Sequence, residues 1–383
     1  MVSELGTSRL RIPPEAKWAL HRREEEAGVE VFSEEVHTFS FYEAKNGFPS
    51  LLSGNTRLLQ SPSPSSRANL MVAQDGSDNY RTIREALDVV RMRRRTGRFI
   101  IYVKAGTYQE YLVVGVNLNN IMLVGDGRKK TIITGSRSAA RGGHGTYGSA
   151  TVGVNADDFI AQGITFRNTA GPQNYQALAL RSTGLRAVFY QCRFEGYQDT
   201  LYAHAGEQFY KDYEIYGTID FILGNAPVVI QNSFIYVRRP LSHQKNTITA
   251  QGRNGARENT GIIIQNSRIM AADDLRPVLG SVQTFLGRPW QKYSRTVYIN
   301  CVIDDLVDPA RWLEWNGNFA LATLFYGEYR NSGVGATTTR RVKWPGYHVI
   351  TSPSEASRFT IERFLEDGGS WLPSTGVPFT PGL

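Results

Sequence analysis

Residues 198–224 read QDTLYAHAGEQFYKDYEIYGTIDFILG. Two acids in this stretch, Asp199 and Asp220, stand among strand-forming residues: Thr200 and Leu201 follow the first, Phe221 and Ile222 the second. Aspartate is depleted in strands and costly to bury, so the placement needs a reason. The acids lie 21 residues apart, and a similar interval recurs along the chain. Aligning QGITF, QCRFE, DYEIY, NSFIY, NSRIM and NCVID brings Ile164, Phe194, Ile215, Ile235, Ile269 and Ile303 into one column, at spacings of 30, 21, 20, 34 and 34. A base period of about 20–22 residues with insertions marks a β-solenoid, whose coils bury their apolar sides by stacking. An ordinary β-sandwich is the alternative, although its paired strands normally arrive at shorter spacing and with tighter turns.

In a solenoid the two acids gain a common meaning. Each falls five residues after the anchor of its coil, Phe194 or Ile215, so they occupy equivalent positions on adjacent coils. Stacked strands lie about 4.8 Å apart, which makes the carboxylates neighbours. Gln198 adjoins Asp199, and Gln176 lies 23 residues before it, about one coil earlier. Two close carboxylates do not both ionise cheaply, so one tends to keep a proton while the other stays charged. The first can then donate a proton, and the second can attack or act as a base. The two carboxamides offer donors where an oxyanion develops. LGRPW (286–290) offers Arg288 and the aromatic Trp290; an Arg beside Asp220 would keep that carboxylate ionised and aimed, although Arg followed by Pro-Trp more often marks packing. Either Asp alone would read as a turn cap; the pair at one coil spacing favours chemistry.

The rest of the chain bounds the reading. It has 383 residues, 41% hydrophobic and 20% charged, an ordinary globular composition. Residues 1–60 are charged and poor in β-branched types, and the Ser/Pro-rich residues 61–67 read as a linker. The catalytic domain is expected over 68–383. It opens with a helix in YRTIREALDVVRMRR, where Ile83, Ala86, Leu87 and Val90 share a face. The basic run RMRRRTGR (91–98) continues that pattern as a solvated helix end. No stretch approaches 18 apolar residues, so no membrane span is expected, and the N-terminus has no apolar core of a secretion signal. The net charge is +8, which suits a polyanionic partner or simple solubility. Dense Lys/Arg tracts of the nucleic-acid-binding kind are otherwise missing. The six histidines show no metal-ligand spacing, and the two cysteines form no disulfide framework. Cys192 and Cys301 each precede an anchor by two residues, so both face the interior, about 19 Å apart across four coils. A disulfide needs Cα atoms within about 7 Å, so two free, buried thiols are expected.

At this point the motifs can be compared as a set. GTYQE (106–110), QALAL (176–180), QDTL (198–201), DFILG (220–224) and LGRPW (286–290) resemble, in order, the five signature segments of plant-type pectin methylesterases. RNTAGP, GNFALATLFYGEY and the final GGSWL extend the resemblance from about residue 68 to the C-terminus. The resemblance implies an all-β fold, a right-handed parallel β-helix, here with a short N-terminal helix cap and a helical or loop tail. It implies hydrolysis of the methyl esters of homogalacturonan, releasing methanol. It makes Asp220 the nucleophile, Asp199 the general acid and then base, and Gln198 and Gln176 the oxyanion stabilisers. Arg288 would hold Asp220 and bind substrate, and Trp290 would stack on a sugar ring. GTYGSATV (145–152) implies substrate contacts from Thr146 and Tyr147, with Tyr202 lining the same cleft. No cofactor or metal is implied. The implied partners are methyl-esterified homogalacturonan and a proteinaceous pectinesterase inhibitor, for a monomer that works outside the cell, in the cell wall, without nucleic acid or membrane. Leu223 stands where the family usually has Phe, and Tyr213 where plant members often have Cys. NTRLLQ (55–60) resembles the processing site after the family's pro-domain, so residues 1–60 look like a pro-region remnant, poorly ordered. A β-helix glycosidase or lyase and a non-catalytic polysaccharide-binding solenoid are the competing functions. A glycosidase also uses two acids, a lyase wants a calcium site of clustered carboxylates, and a serine esterase would show G-x-S-x-G.

Overall fold

A computed structural model describes residues 64–383. The expected pro-region remnant 1–60 and residues 61–63 of the expected linker lie outside the described residues; the linker's last four residues form a short 3₁₀ turn, Pro64–Arg67. Beyond it the chain winds through three parallel sheets of eleven, eight and seven strands. Each complete coil gives one strand to each sheet. Leu180–Ser182, Ala187–Tyr190 and Arg193–Glu195 make one coil, and Leu201–Ala203, Gln208–Lys211 and Glu214–Gly217 make the next. This is a right-handed parallel β-helix.

The corner between the eleven-stranded and eight-stranded sheets explains the Asn and Asp punctuation of the sequence. Gly163, Gln191, Asp212, Asn232, Asn266, Asn300 and Arg330 stack there with φ between +48° and +67°. Asparagine, aspartate and glycine enter that left-handed region at least cost. One such residue turns the chain, and the residue after it points inward. Cys192 and Cys301 occupy that inward position, fully buried and unpaired.

The anchor column holds from Phe194 onward, pairing with Ile215, Ile235, Ile269 and Ile303 in turn. At its start the alignment is two residues out. Phe194 pairs with Phe166, not Ile164, and the two rings stack at 5.6 Å. A slip of two keeps every side chain on its face, and both Ile164 and Phe166 are buried, so hydrophobic pattern could not distinguish them. Phe189 stacks on Tyr210 at 5.0 Å in the same interior. Such pairs contribute about 0.5–1.5 kcal/mol beyond the area they bury.

The solenoid is covered at its N-terminal end and along one side. The helix Ile83–Arg91 buries Ile83, Ala86, Leu87 and Val90. Thr82 and Glu85 form its capping box, and the Glu110 carboxylate accepts from the Ile83 and Arg84 amides, both at 2.9 Å. The first signature, GTYQE, is therefore structural here: Glu110 holds the helix N-terminus and Tyr108 is buried core. The helix stops at Arg91, the first residue of the basic run, so the rest of the run does not continue it as expected. Arg95 lies past its end and donates to the Asn117 and Asn119 carbonyls. Along one side, Ile361, Phe364 and Leu372 pack on the outer face of the eleven-stranded sheet, against Phe209, Val229, Ile263 and Val297. With both faces covered, those strands read as continuous apolar runs such as GIIIQ rather than alternating ones.

Candidate active site

The seven-stranded sheet carries the site. Across its centre Arg181, Tyr202, Leu223 and Ala250 lie in one row, and the Arg288 amide donates to the Thr249 carbonyl at 3.0 Å, which brings Arg288 into the same row. Leu178, Leu223 and Ala250 form a small apolar floor, with Ala150, Tyr202 and Trp290 packed against it. Leu223, where the family usually has Phe, thus closes the floor with an aliphatic group and leaves Tyr202 and Trp290 as its aromatic sides.

The two acids lie beside one another at the edge of this floor. The Asp199 amide donates to the Ile219 carbonyl at 2.9 Å, the parallel-ladder bond that aligns Asp199 with Asp220. Adjacent strands put their Cα atoms about 4.8 Å apart. Both residues take left-handed backbone, with φ of +62° and +50°. That conformation costs roughly 1 kcal/mol or more for most residues and is tolerated best by Asp and Asn. It lifts each carboxylate out of the regular strand alternation just before the strands resume at Leu201 and Ile222. Both residues are nevertheless largely buried.

Asp220 is held by two side chains. The Thr247 hydroxyl, one coil on, accepts from the Asp220 amide at 3.0 Å and donates to Oδ1 at 2.6 Å. Arg288 grips both oxygens, with Nε 2.9 Å from Oδ1 and Nη2 2.6 Å from Oδ2. This forked, charge-assisted contact fixes orientation as well as charge. The other face of the guanidinium lies on the Trp315 ring, 4.4 Å from its centre. Asp199 faces a different set of neighbours: burial and then the Asp199 carboxylate push the Tyr202 phenol up.

The backbone also brings the two glutamines together. Ala177 donates to the Gln198 carbonyl at 3.2 Å, while Ala179 and Leu180 both donate to that of Thr200. This one-residue slip sets Gln176 beside Gln198. Among the described residues neither carboxamide carries a hydrogen bond of its own, and both are half-exposed, so their donors are free for a ligand. Of the other expected residues, Thr146 and Tyr147 sit on the short helical turn Gly145–Gly148. Tyr147 is 48% exposed, with the Arg181 guanidinium 3.7 Å from its ring centre and His204 edge-on at 5.6 Å. His204 contacts Tyr202 at 4.9 Å, and Tyr202 contacts Trp290 at 6.1 Å. Tyr147, His204, Tyr202 and Trp290 therefore form one aromatic wall. Burial, with Arg181 nearby, pushes the His204 imidazole down, and its Nδ1 is buried with no partner among the described residues.

Four members of this site escaped sequence reading: Thr247, Trp315, His204 and Arg181. Thr247 follows Asp220 by 27 residues rather than one base period, because an insertion separates their strands. Trp315 arrives from a loop with no period. His204 and Arg181 had a signal, since they share the outward parity of Tyr202. Among the described residues no group of three or more His, Cys, Asp or Glu side chains is close enough to hold a metal ion.

The arrangement corresponds closely to known proteins. A family model described as Pectinesterase matches residues 69–368. The chain is 58% identical over 340 residues to the probable pectinesterase/pectinesterase inhibitor 17 of Arabidopsis thaliana, covering 88% of this chain and 64% of that protein. It is 57% identical to pectinesterase 2 of Citrus sinensis, covering 88% of this chain and 65% of that one. The chain thus spans just under two thirds of the length of these relatives. The fold matches the pectin methylesterase from carrot with a TM-score of 0.80 at 49% identity, over 82% of this chain and 98% of that one. With a family model that spans nearly the whole solenoid and relatives this similar, the chain belongs to the pectinesterase family.

Proposed function

We propose that this protein hydrolyses the methyl esters of homogalacturonan, releasing methanol and leaving free galacturonate carboxylates. The observation that carries the reading is Asp220, gripped by Arg288 and Thr247, with Asp199 beside it on the neighbouring coil. Asp220 is the nucleophile. One of its oxygens attacks the ester carbonyl carbon, and the carbonyl oxygen becomes an oxyanion that accepts from Gln198 and Gln176. As the carbon–methoxy bond breaks, Asp199 gives its proton to the departing methanol. Asp199, now ionised, takes a proton from water as the water attacks the acyl group on Asp220, which restores both acids. Arg288 keeps Asp220 charged and aimed throughout and touches substrate. Thr146, Tyr147, Tyr202 and Trp290 receive the sugar rings, Trp290 by stacking. The chemistry asks for carboxylates, carboxamides and a guanidinium, and needs no cofactor or metal.

In this reading residues 68–383 form the catalytic domain, and residues 1–60 are the remnant of a pro-region ahead of the 61–67 linker. The protein works outside the cell, in the cell wall, as a monomer, and a proteinaceous pectinesterase inhibitor is its protein partner; nucleic acid and membrane play no part. The net charge of +8 supports a polymer whose negative charge grows with every turnover. The test is to incubate the protein with highly methylated pectin and follow methanol, reducing ends and unsaturated products together. Methanol alone is the expected result. New reducing ends or unsaturated ends without methanol would instead identify a glycosidase or a lyase, and no product at all a binding solenoid.

A further inference from the structure

A second basic site lies at the corner where the seven-stranded sheet passes into the eleven-stranded one. Residues 252–260 and 288–294 turn that corner on successive coils, and the C-terminal tail closes over it. Between them is a cavity of about 610 Å³ whose lining includes Arg253, Arg295, Arg358, Arg363, Tyr293 and Asn259. Four arginines thus line one space, and among the described residues none of the four makes an ion pair. Glu258 acts on Arg253 through its charge without pairing with it, and its carboxylate accepts from the Asn225 side-chain amide at 2.9 Å. Burial, with Arg253 and Arg358 beside it, pushes the Arg295 guanidinium down to about 10.

The cavity is built rather than incidental. Arg253 is only 7% exposed and is fixed by its Nε, which donates to the Glu258 carbonyl at 2.8 Å. Asn259 accepts from Arg295 Nη1 at 3.4 Å and donates to the Phe364 carbonyl at 2.9 Å. That pair of bonds ties the tail to the coil. Unpaired like charges held together in this way cost stability unless an anion joins them. Phe325 and Phe359, 5.1 Å apart, add apolar lining of the kind that meets a sugar face.

The position identifies the anion. The corner is continuous with the wall of the catalytic cleft, for the Tyr293 amide donates to the Arg253 carbonyl at 3.0 Å and the Trp290 ring lies against Gly252. We infer that this arginine-lined cavity binds carboxylates of a de-esterified homogalacturonan segment, the enzyme's own product, outside the cleft where the ester is cleaved. This assignment of the ligand rests on the function proposed above. It gives the protein a hold on polymer it has already processed. Free phosphate shares the oxyanion chemistry and is the other source of a ligand for the cavity.

The experiment compares the full chain with an Arg358→Ala/Arg363→Ala double variant; both side chains are exposed, so the fold is not at stake. Binding of a fully de-esterified galacturonate oligomer is measured by calorimetry at two salt concentrations, and methanol release from a short methyl-esterified oligomer is measured alongside. The double variant is expected to bind the de-esterified oligomer about tenfold more weakly with a shallower salt dependence, and to release methanol at the normal rate. The double Arg→Lys variant is expected to keep most of the affinity. Equal binding by the double Ala variant and the unaltered protein would overturn the assignment. So would inorganic phosphate that competes for the site as tightly as the oligomer does, since the cavity would then be a simple anion site. If the unaltered protein released no methanol while the double variant still lost oligomer affinity, the esterase reading would fail and the cavity assignment would stand.

Discussion

Replacing Arg288 by lysine isolates the forked contact that fixes Asp220. Arg288 donates from Nε to Oδ1 at 2.9 Å and from Nη2 to Oδ2 at 2.6 Å. Lysine keeps the charge but presents a point donor, so it can serve one oxygen at a time. One charge-assisted hydrogen bond is lost, worth about 1.5–3 kcal/mol. The flat contact with Trp315 at 4.4 Å is lost too, and a freely rotating ammonium does not replace it. At about 1.4 kcal/mol per tenfold, kcat/KM for methanol release should fall roughly ten- to a hundredfold. Arg288→Ala should fall further, because Thr247 alone then partners a carboxylate that is only 7% exposed. Added guanidinium ion should restore part of the alanine variant's rate and none of the lysine variant's. The assay is initial-rate methanol release on methylated pectin, with thermal melting to check that the fold persists. Full activity in Arg288→Lys would refute the argument that a bidentate grip aims Asp220.

Other predictions follow from single contacts. Thr247→Val removes the hydroxyl that both accepts from the Asp220 amide and donates to Oδ1; kcat should fall about five- to thirtyfold, for about 1–2 kcal/mol, which steady-state kinetics will read. Cys192 and Cys301 should resist alkylation in the native protein at pH 8 and react promptly in denaturant, because burial pushes both thiols up to about 12; mass spectrometry after brief iodoacetamide treatment distinguishes the two states. His204 is pushed down in the folded protein by burial and by Arg181, so the unfolded chain binds its proton first. Stability therefore falls as the pH drops from about 6.5 through the lowered folded value. His204→Gln should flatten that part of the melting-temperature profile and leave the part above pH 7 unchanged.

How far the sequence could be read follows from what sets each position. The pair Asp199 and Asp220 was legible because their coils carry no insertion, so 21 residues is one turn and the ladder bond from Asp199 to Ile219 follows. The buried thiols were legible for a related reason: parity two residues before an anchor survives any insertion elsewhere. Ile164 was misaligned because a two-residue slip keeps the same face, and only the stacked Phe166 and Phe194 rings fix the true register. Thr247 and Trp315 were illegible from periodicity, since loop lengths between their strands and Asp220 obey no repeat. Arg288 was reached by motif resemblance; nothing in its spacing from Asp220 announces a contact at 2.6 Å. The first signature carried no role in the sequence; in the structure Glu110 caps a helix and Tyr108 is buried core.

The central claim is that Asp220 is the group that attacks the ester. Asp220→Asn keeps the size of the side chain while removing its charge and turning one of the two oxygens that accept from Arg288 and Thr247 into a donor. Methanol release from methyl-esterified homogalacturonan should fall by about 10⁴-fold or more, with the circular dichroism spectrum of the protein unchanged. Methanol release within tenfold of the unaltered protein, from a variant confirmed to be free of revertant or deamidated Asp220, would contradict the account.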